Sequence, residues 1–363
     1  MYTRPILLLD VDKLKANIRK MAEKAKRNGI EFRPHFKTHQ SHGIGEWFRA
    51  EGVTKITVSS VTMANYFADN GWKDITIAFP VNILEIDSIN KLASSITLNI
   101  LVESLEIVDL LEKNLTAKVN AFVKINIGNN RAGIDPAKID LISQLALKIT
   151  KTKNIIFKGF LGHAGHSYAC RSRDEITKVY HESIEKMLQL KKIFIKQYTD
   201  LMLSVGDTPT CTTMEDFSMV DEFRPGVFVF HDCMQLQTGS CSTKEIAIAM
   251  ACPVVAIHSD KNEIIIYGGS VHFASDRLVE QNGSVIFGKI VEHKGAGWGD
   301  LINNVYIKKL SQEHGIIKAT QEFINTVKIG DIIKIIPVHA CTTANLFESY
   351  VTLEGEKIGR FRL

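Results

Sequence analysis

Short β-branched runs alternate with longer amphipathic stretches through the first two-thirds of the chain. Strands are predicted over 31–37 (EFRPHFK), 55–59, 74–79, 96–102, 120–126, 156–163, 201–205 and 226–230. Helices are predicted between them. The clearest is 12–27, where Leu14, Ile18, Met21 and Ala25 fall on one face at helical spacing. Further helices are predicted over 60–71, 83–93, 104–114, 136–151 and 173–198, with weaker periodicity over 41–51 and 212–220. Strands separated by helices build a parallel sheet, and eight such units in roughly 230 residues match a closed (β/α)8 TIM-type barrel. After Gln237 the pattern changes. Strand-like runs at 245–259, 263–269, 283–293, 304–310, 331–340 and 349–355 follow one another with little helix, separated by turns such as Asp260-Lys261-Asn262. The expected organisation is an α/β barrel over residues 1–237 followed by a β-rich C-terminal domain over 238–363, packed against the barrel or closed into a small barrel of its own.

Composition changes this picture little. The 363 residues are 45% hydrophobic and 23% charged, and the net charge of +4 comes from 44 basic and 40 acidic residues spread along the chain. Nothing in that balance asks for nucleic acid or an anionic membrane surface. The six cysteines show no C-x-x-C pair, as expected of reduced thiols in a cytosolic protein. Ile6 to Leu9 is the only continuous apolar run near the N-terminus, too short for a secretory or membrane segment. A cytoplasmic protein is expected.

The candidate chemistry lies at the ends of the predicted strands, where barrel enzymes keep their sites. The stretch 33-RPHFKTH-39 puts Lys37 between His35 and His39 at the end of the first strand. A lysine partly desolvated there loses proton affinity and becomes available as a nucleophile or Schiff-base former, whereas an isolated loop lysine is usually only solvated. Other strand ends are polar and glycine-rich. They are 126-NIGNNRAGI-134 with Arg131, 162-GHAGHSY-168 with His163, His166 and Tyr168, 204-SVGDTPTCT-212, and 224-RPGVF-228 with Gly226. Ser204, Thr208 and the backbone at Gly206 could cradle an anion, and phosphate sites after strands seven and eight recur in this barrel class. A lysine with a phosphate cradle is what pyridoxal phosphate requires. Near the C-terminus, 337-PVHACTTAN-345 on an extended segment would turn His339 and Cys341 to one side. Imidazole with thiolate favours zinc over harder divalent ions, and two protein ligands leave positions open for catalysis. The alternative is a buried cysteine beside a satisfied histidine.

The series RPHFKTH, NIGNNRAG, GHAGHSY, SVGDTPT, RPGVFVFHD and PVHACTTAN resembles the D-serine dehydratase and D-threonine aldolase family. That family consists of fold-type III, alanine racemase-like enzymes that use pyridoxal phosphate. The resemblance covers nearly the whole chain. It implies that Lys37 carries the cofactor and that Ser204, Gly206, Thr208, Gly226 and Val227 lie on phosphate-binding positions. Arg131 and Tyr168 fall near the pyridine ring, and His339 and Cys341 fall on the metal pair. His-x-Cys goes with zinc-dependent dehydratases, His-x-Asp more often with aldolases. The implied activity is β-elimination from a D-3-hydroxy amino acid, giving a 2-oxo acid and ammonia, in a homodimer. Lys37 would take the α-proton, and the metal would help the hydroxyl leave; His35, His39, His163 and His166 are candidates for orienting or relay roles. The alternatives are retro-aldol cleavage to glycine and an aldehyde, a racemase using a tyrosine such as Tyr267 or Tyr350, and a non-catalytic carrier of the cofactor. Two departures stand out. The segment 266-IYGGSVHFASD-276 replaces a turn common in relatives, and Asp207 sets a carboxylate inside the expected phosphate loop.

Overall fold

In the computed structural model, which describes residues 2–361, the strands in chain order are β1 (Ile6–Leu9), β2 (Glu31–Phe32), β3 (Lys55–Val58), β4 (Asp74–Pro80), β5 (Thr97–Val102), β6 (Val119–Ile125), β7 (Ile155–Gly162), β8 (Met202–Val205) and β9 (Glu222–Phe223). Strands β2 to β9 form one parallel sheet in the order β2-β9-β8-β7-β6-β5-β4-β3. The seam between β2 and β3 is joined by a single bridge, His35 to Thr57. This is a nearly closed (β/α)8 barrel. Its strands are mostly apolar and buried, as parallel strands covered on both faces must be.

Two predicted strands differ from those observed. The first was expected over 31–37, but regular strand covers only Glu31–Phe32; beyond it Arg33 and His35 N–H still donate to the Phe223 and Pro225 carbonyls at 3.1 and 2.9 Å, while Pro34 has no N–H to donate. The eighth was expected over 226–230, whereas the strand is Glu222–Phe223 and Val227–Val229 forms a single 3-10 turn. A short apolar run does not reveal by itself whether it is strand or buried turn. The helix expected over 212–220 lies instead at Thr208–Thr213, where Asp207 caps it and Pro209 opens it.

The barrel interior carries a polar network rather than hydrocarbon alone. Arg33 donates to Glu222 at 2.5 Å and to Asp74 at 2.6 Å, and Asn99 donates to the same Asp74 at 2.8 Å. Ser204 donates to Glu222 at 2.6 Å, while Arg224 donates to Ser204 and to the carbonyls of Val205 and Gly162 at 2.9 and 2.8 Å.

The remaining strands are β10 (Ile248–His258), β11 (Glu263–Tyr267), β12 (Leu278–Val279), β13 (Val285–Ile286), β14 (Gly288–Lys294), β15 (Gly297–Leu310), β16 (His314–Lys318), β17 (Ile332–Pro337), β18 (Ser349–Thr352) and β19 (Lys357–Gly359). Antiparallel pairing runs β10-β17-β14-β15-β16-β11 and returns to β10, so six strands close on themselves. The strands β1, β12, β16 and β19 escaped prediction, each being five residues or fewer. The compact units do not follow the linear division at residue 237. One comprises Arg19–Gly226; the other takes the chain up to Ile18 and from Val227 onward, because β1 pairs with both β10 and β18. Among the described residues, no helix is long and apolar enough to cross a membrane.

Candidate active site

Lys37 lies in a turn just beyond β2, half-buried. The turn is pinned at both ends. Phe36 N–H donates to the Thr57 carbonyl at 2.8 Å, and Gln40 N–H donates to the Phe36 carbonyl at 2.9 Å. The amide of Lys37 faces Nδ1 of His35 at 3.4 Å. His39 has a different role: fully buried, its ring stacks on Phe48 and meets the edge of Phe36, and its Nδ1 accepts from Ser41 N–H. It belongs to the aromatic core under the turn.

The strand-end glycines allow backbone segments to approach. A Cβ on Gly206 would lie 2.8 Å from the backbone of Arg224. One on Gly226 would lie 3.0 Å from Thr38 Oγ1 and 3.1 Å from Cβ of His35. Their absence brings the 204–208 loop, the 224–226 segment and the Lys37 turn together. Gly226 N–H donates to Thr208 Oγ1 at 3.3 Å, and Thr208 N–H to the Tyr168 hydroxyl at 3.2 Å. The Gly206 amide makes no hydrogen bond to another described residue, whereas the Asp207 backbone N–H faces the Cys211 thiol. Val227 is buried at the start of the other unit.

Ser204 is a correction to the expected anion cradle. Its hydroxyl is fully buried in the barrel wall, donating to Glu222 and accepting from Arg224, and does not join the loop amides. The Asp207 carboxylate is accounted for as well. It accepts from Thr210 N–H and Oγ1 at 2.8 and 2.7 Å and from Ser167 Oγ at 2.7 Å, so it is a helix cap.

Charge around the turn is predominantly positive. Burial pushes the His35 imidazole well below its ordinary range, and Lys37, Arg224, His163 and Arg131 push it further. His163 is pushed down to about 3, first by burial and then by Lys124, Arg131 and Lys37, against the opposing pull of the Gly206 carbonyl. That carbonyl lies 2.5 Å from Nδ1 of His163, which therefore carries the ring proton. Arg131 is exposed on a loop organised by Asn126, whose Oδ1 accepts from the amides of Gly128 and Asn130 at 3.1 Å. His166 packs over Gly128, where a Cβ would meet its ring at 2.6 Å. Lys124 escaped the sequence reading. It sits buried in β6, pushed down to about 7 by burial and by Arg224 and Arg131. The signal was a lysine inside an otherwise apolar strand, AFVKI.

In the other unit, His339 is extended and caps the short helix Ala340–Ala344, which contains Cys341. The segment is therefore not extended throughout, as expected from alternation; a helix begins between the two residues. The two side chains nevertheless hydrogen-bond each other. Burial disfavours a proton on His339, but Asp276 and Cys341 outweigh it and hold the imidazole well above its ordinary range. Nδ1 of His339 is shielded from solvent without a well-formed hydrogen bond. Among the described residues no group of three or more His, Cys, Asp or Glu could hold a metal. Tyr350 is fully buried against Phe230, and Tyr267 meets the edge of His272.

A parallel barrel with a lysine at a strand end and glycine-lined loops beside it defines a class, and comparison with known proteins places the chain within it. Residues 9–233 match the N-terminal domain of alanine racemase, and the chain belongs to that family. Residues 247–353 match a putative serine dehydratase domain. The chain is 29% identical to D-serine dehydratase of Dictyostelium discoideum, over 97% of this chain and 93% of the relative. It is 24% identical to D-threo-3-hydroxyaspartate dehydratase of Delftia sp., over 97% and 94%. The fold is that of a cysteine-to-alanine mutant of D-threo-3-hydroxyaspartate dehydratase in the metal-free form, with a TM-score of 0.91 at 22% identity, covering 100% of this chain and 98% of the other.

Proposed function

We propose that the chain is a pyridoxal phosphate-dependent lyase of D-3-hydroxy amino acids, D-serine dehydratase-like, which releases a 2-oxo acid and ammonia. The observation that carries this reading is Lys37 in its pinned turn, brought close to the Gly206 loop and the Gly226 segment, among Lys124, Arg131 and Arg224. An amine with a cationic surround and an open N–H group suits an aldehyde that carries a phosphate. Both dehydratase relatives support the reaction class.

Gly206, Thr208, Gly226 and Val227 would hold the phosphate through backbone and hydroxyl donors, and Arg131 and Tyr168 would flank the ring. When bound, the cofactor supplies an electron sink for negative charge at the substrate Cα. Lys37 would hold the cofactor through its amine, and the same amine, when free, would take the Cα proton of the substrate. Neutral His163 donates Nδ1–H to the Gly206 carbonyl and adds no charge beside Lys37, Lys124 and Arg131. In the other unit, His339 and Cys341 would hold zinc, which would supply Lewis acidity. Their donor set fits: sulfur and imidazole are the pair a borderline-soft ion selects, and they already touch. The proposed setting is a cytoplasmic homodimer.

Incubation with D-serine, D-threo-3-hydroxyaspartate and D-threonine tests the reaction. The expected products are a 2-oxo acid and ammonia in equal amounts. Glycine with an aldehyde would overturn elimination in favour of aldol cleavage.

A further inference from the structure

The segment 266-IYGGSVHFASD-276 ends on a carboxylate aimed at the metal pair. Asp276 Oδ1 lies 3.5 Å from Nδ1 of His339, and its Oδ2 accepts from Thr342 Oγ1 at 2.5 Å. Thr342 stands one residue beyond Cys341 and also reaches the His339 carbonyl at 3.1 Å. A second tie comes from Thr343 Oγ1, which donates to the Phe273 carbonyl at 3.0 Å. The segment is thus fastened twice to the helix that carries Cys341. Nδ1 of His339 is out of reach of water, and the Asp276 carboxylate is what it faces.

We propose that Asp276 is the positioning residue of the metal pair: its carboxylate accepts a hydrogen bond from Nδ1–H of His339, leaving Nε2 to face the ion together with the thiolate of Cys341. The separation is a few tenths of an ångström beyond a normal N–H···O bond, which a small rotation of the ring closes. A ligating histidine that donates its second nitrogen to a carboxylate has one tautomer and one orientation, and a more basic ligating nitrogen. Thr342 in turn fixes the carboxylate, so the chain of contacts runs Thr342, Asp276, His339, ion. This role differs from ligation, since Asp276 needs no bond to the metal. It rests on the reading of His339 and Cys341 as the metal pair.

The test measures zinc affinity of metal-free full-length protein by competition with a chromophoric chelator, independently of turnover. Asp276→Asn is expected to weaken zinc binding about 10–100-fold, with Asp276→Glu recovering part of the loss. In the cobalt-loaded protein, Asp276→Asn should keep the thiolate-to-metal absorption band at reduced cobalt affinity, whereas Cys341→Ser should lose the band. Zinc affinity within twofold of wild type in a folded Asp276→Asn variant overturns the inference alone. Wild-type protein that binds no zinc overturns both the inference and the metal reading beneath it. If Asp276→Asn does not fold, Thr342→Val carries the same test: weakened zinc binding supports the role, and unchanged binding overturns it.

Discussion

At the scale of single residues, the barrel mouth keeps one imidazole from becoming a cation. His163 is buried among Lys37, Lys124 and Arg131, and its proton affinity falls to about 3, mainly through loss of solvent. The unfolded chain, with an ordinary histidine near 6.5, binds a proton that the fold refuses. Stability therefore stands in full above about pH 6.5 and declines as pH falls toward 3. Between pH 7 and pH 5 the loss attributable to His163 should be roughly 2 kcal/mol. Urea unfolding at the two pH values, in the wild type and in His163→Gln, reads the difference directly. The variant should lose less stability than the wild type over that interval. Equal losses would show that His163 is free to protonate in the folded protein.

At the scale of elements, the turn from β8 into the helix Thr208–Thr213 shows how a loop is readied for an anion. Asp207 looked out of place as a carboxylate in a phosphate loop. Its three acceptor bonds instead seal the first turn of the helix and hold Ser167. At the other end, buried Lys24 donates to the carbonyls of Cys211, Thr212 and Met214. Asp207→Ala removes the cap and strands two hydroxyl donors, so it should cost at least about 2 kcal/mol in a thermal or urea melt. A loss below about 0.5 kcal/mol would mean that the cap carries no load. The same turn marks where sequence reading succeeds and stops. The run MLSV is legible as a strand because its apolar pattern is local, whereas the helix expected over 212–220 starts instead at Asp-Thr-Pro, where Asp207 caps it. Ser204 misleads because its partners, Glu222 and Arg224, lie far along the chain, and nothing local distinguishes a serine facing the barrel interior from one facing a ligand. Lys124 differs, because a lysine inside the apolar run AFVKI is a local signal.

At the scale of the whole molecule, the chain builds two units by different rules. Parallel β/α repeats announce themselves by period, which is why six of the eight barrel strands lie where hydrophobic patterning puts them. The antiparallel unit borrows β1 from the other end of the chain, a pairing that no local pattern encodes. The proposed chemistry divides along the same line: the barrel holds the cofactor lysine, and the β-rich unit holds the metal pair. The claim on which the rest depends is the bond between Lys37 and pyridoxal phosphate. Borohydride reduction of the pyridoxal phosphate-saturated protein, followed by proteolysis and mass mapping, tests it most directly. The expected result is one pyridoxyl adduct, on the peptide containing Lys37, absent from Lys37→Ala. An adduct on another lysine, Lys124 included, or no adduct in the saturated protein, would contradict it.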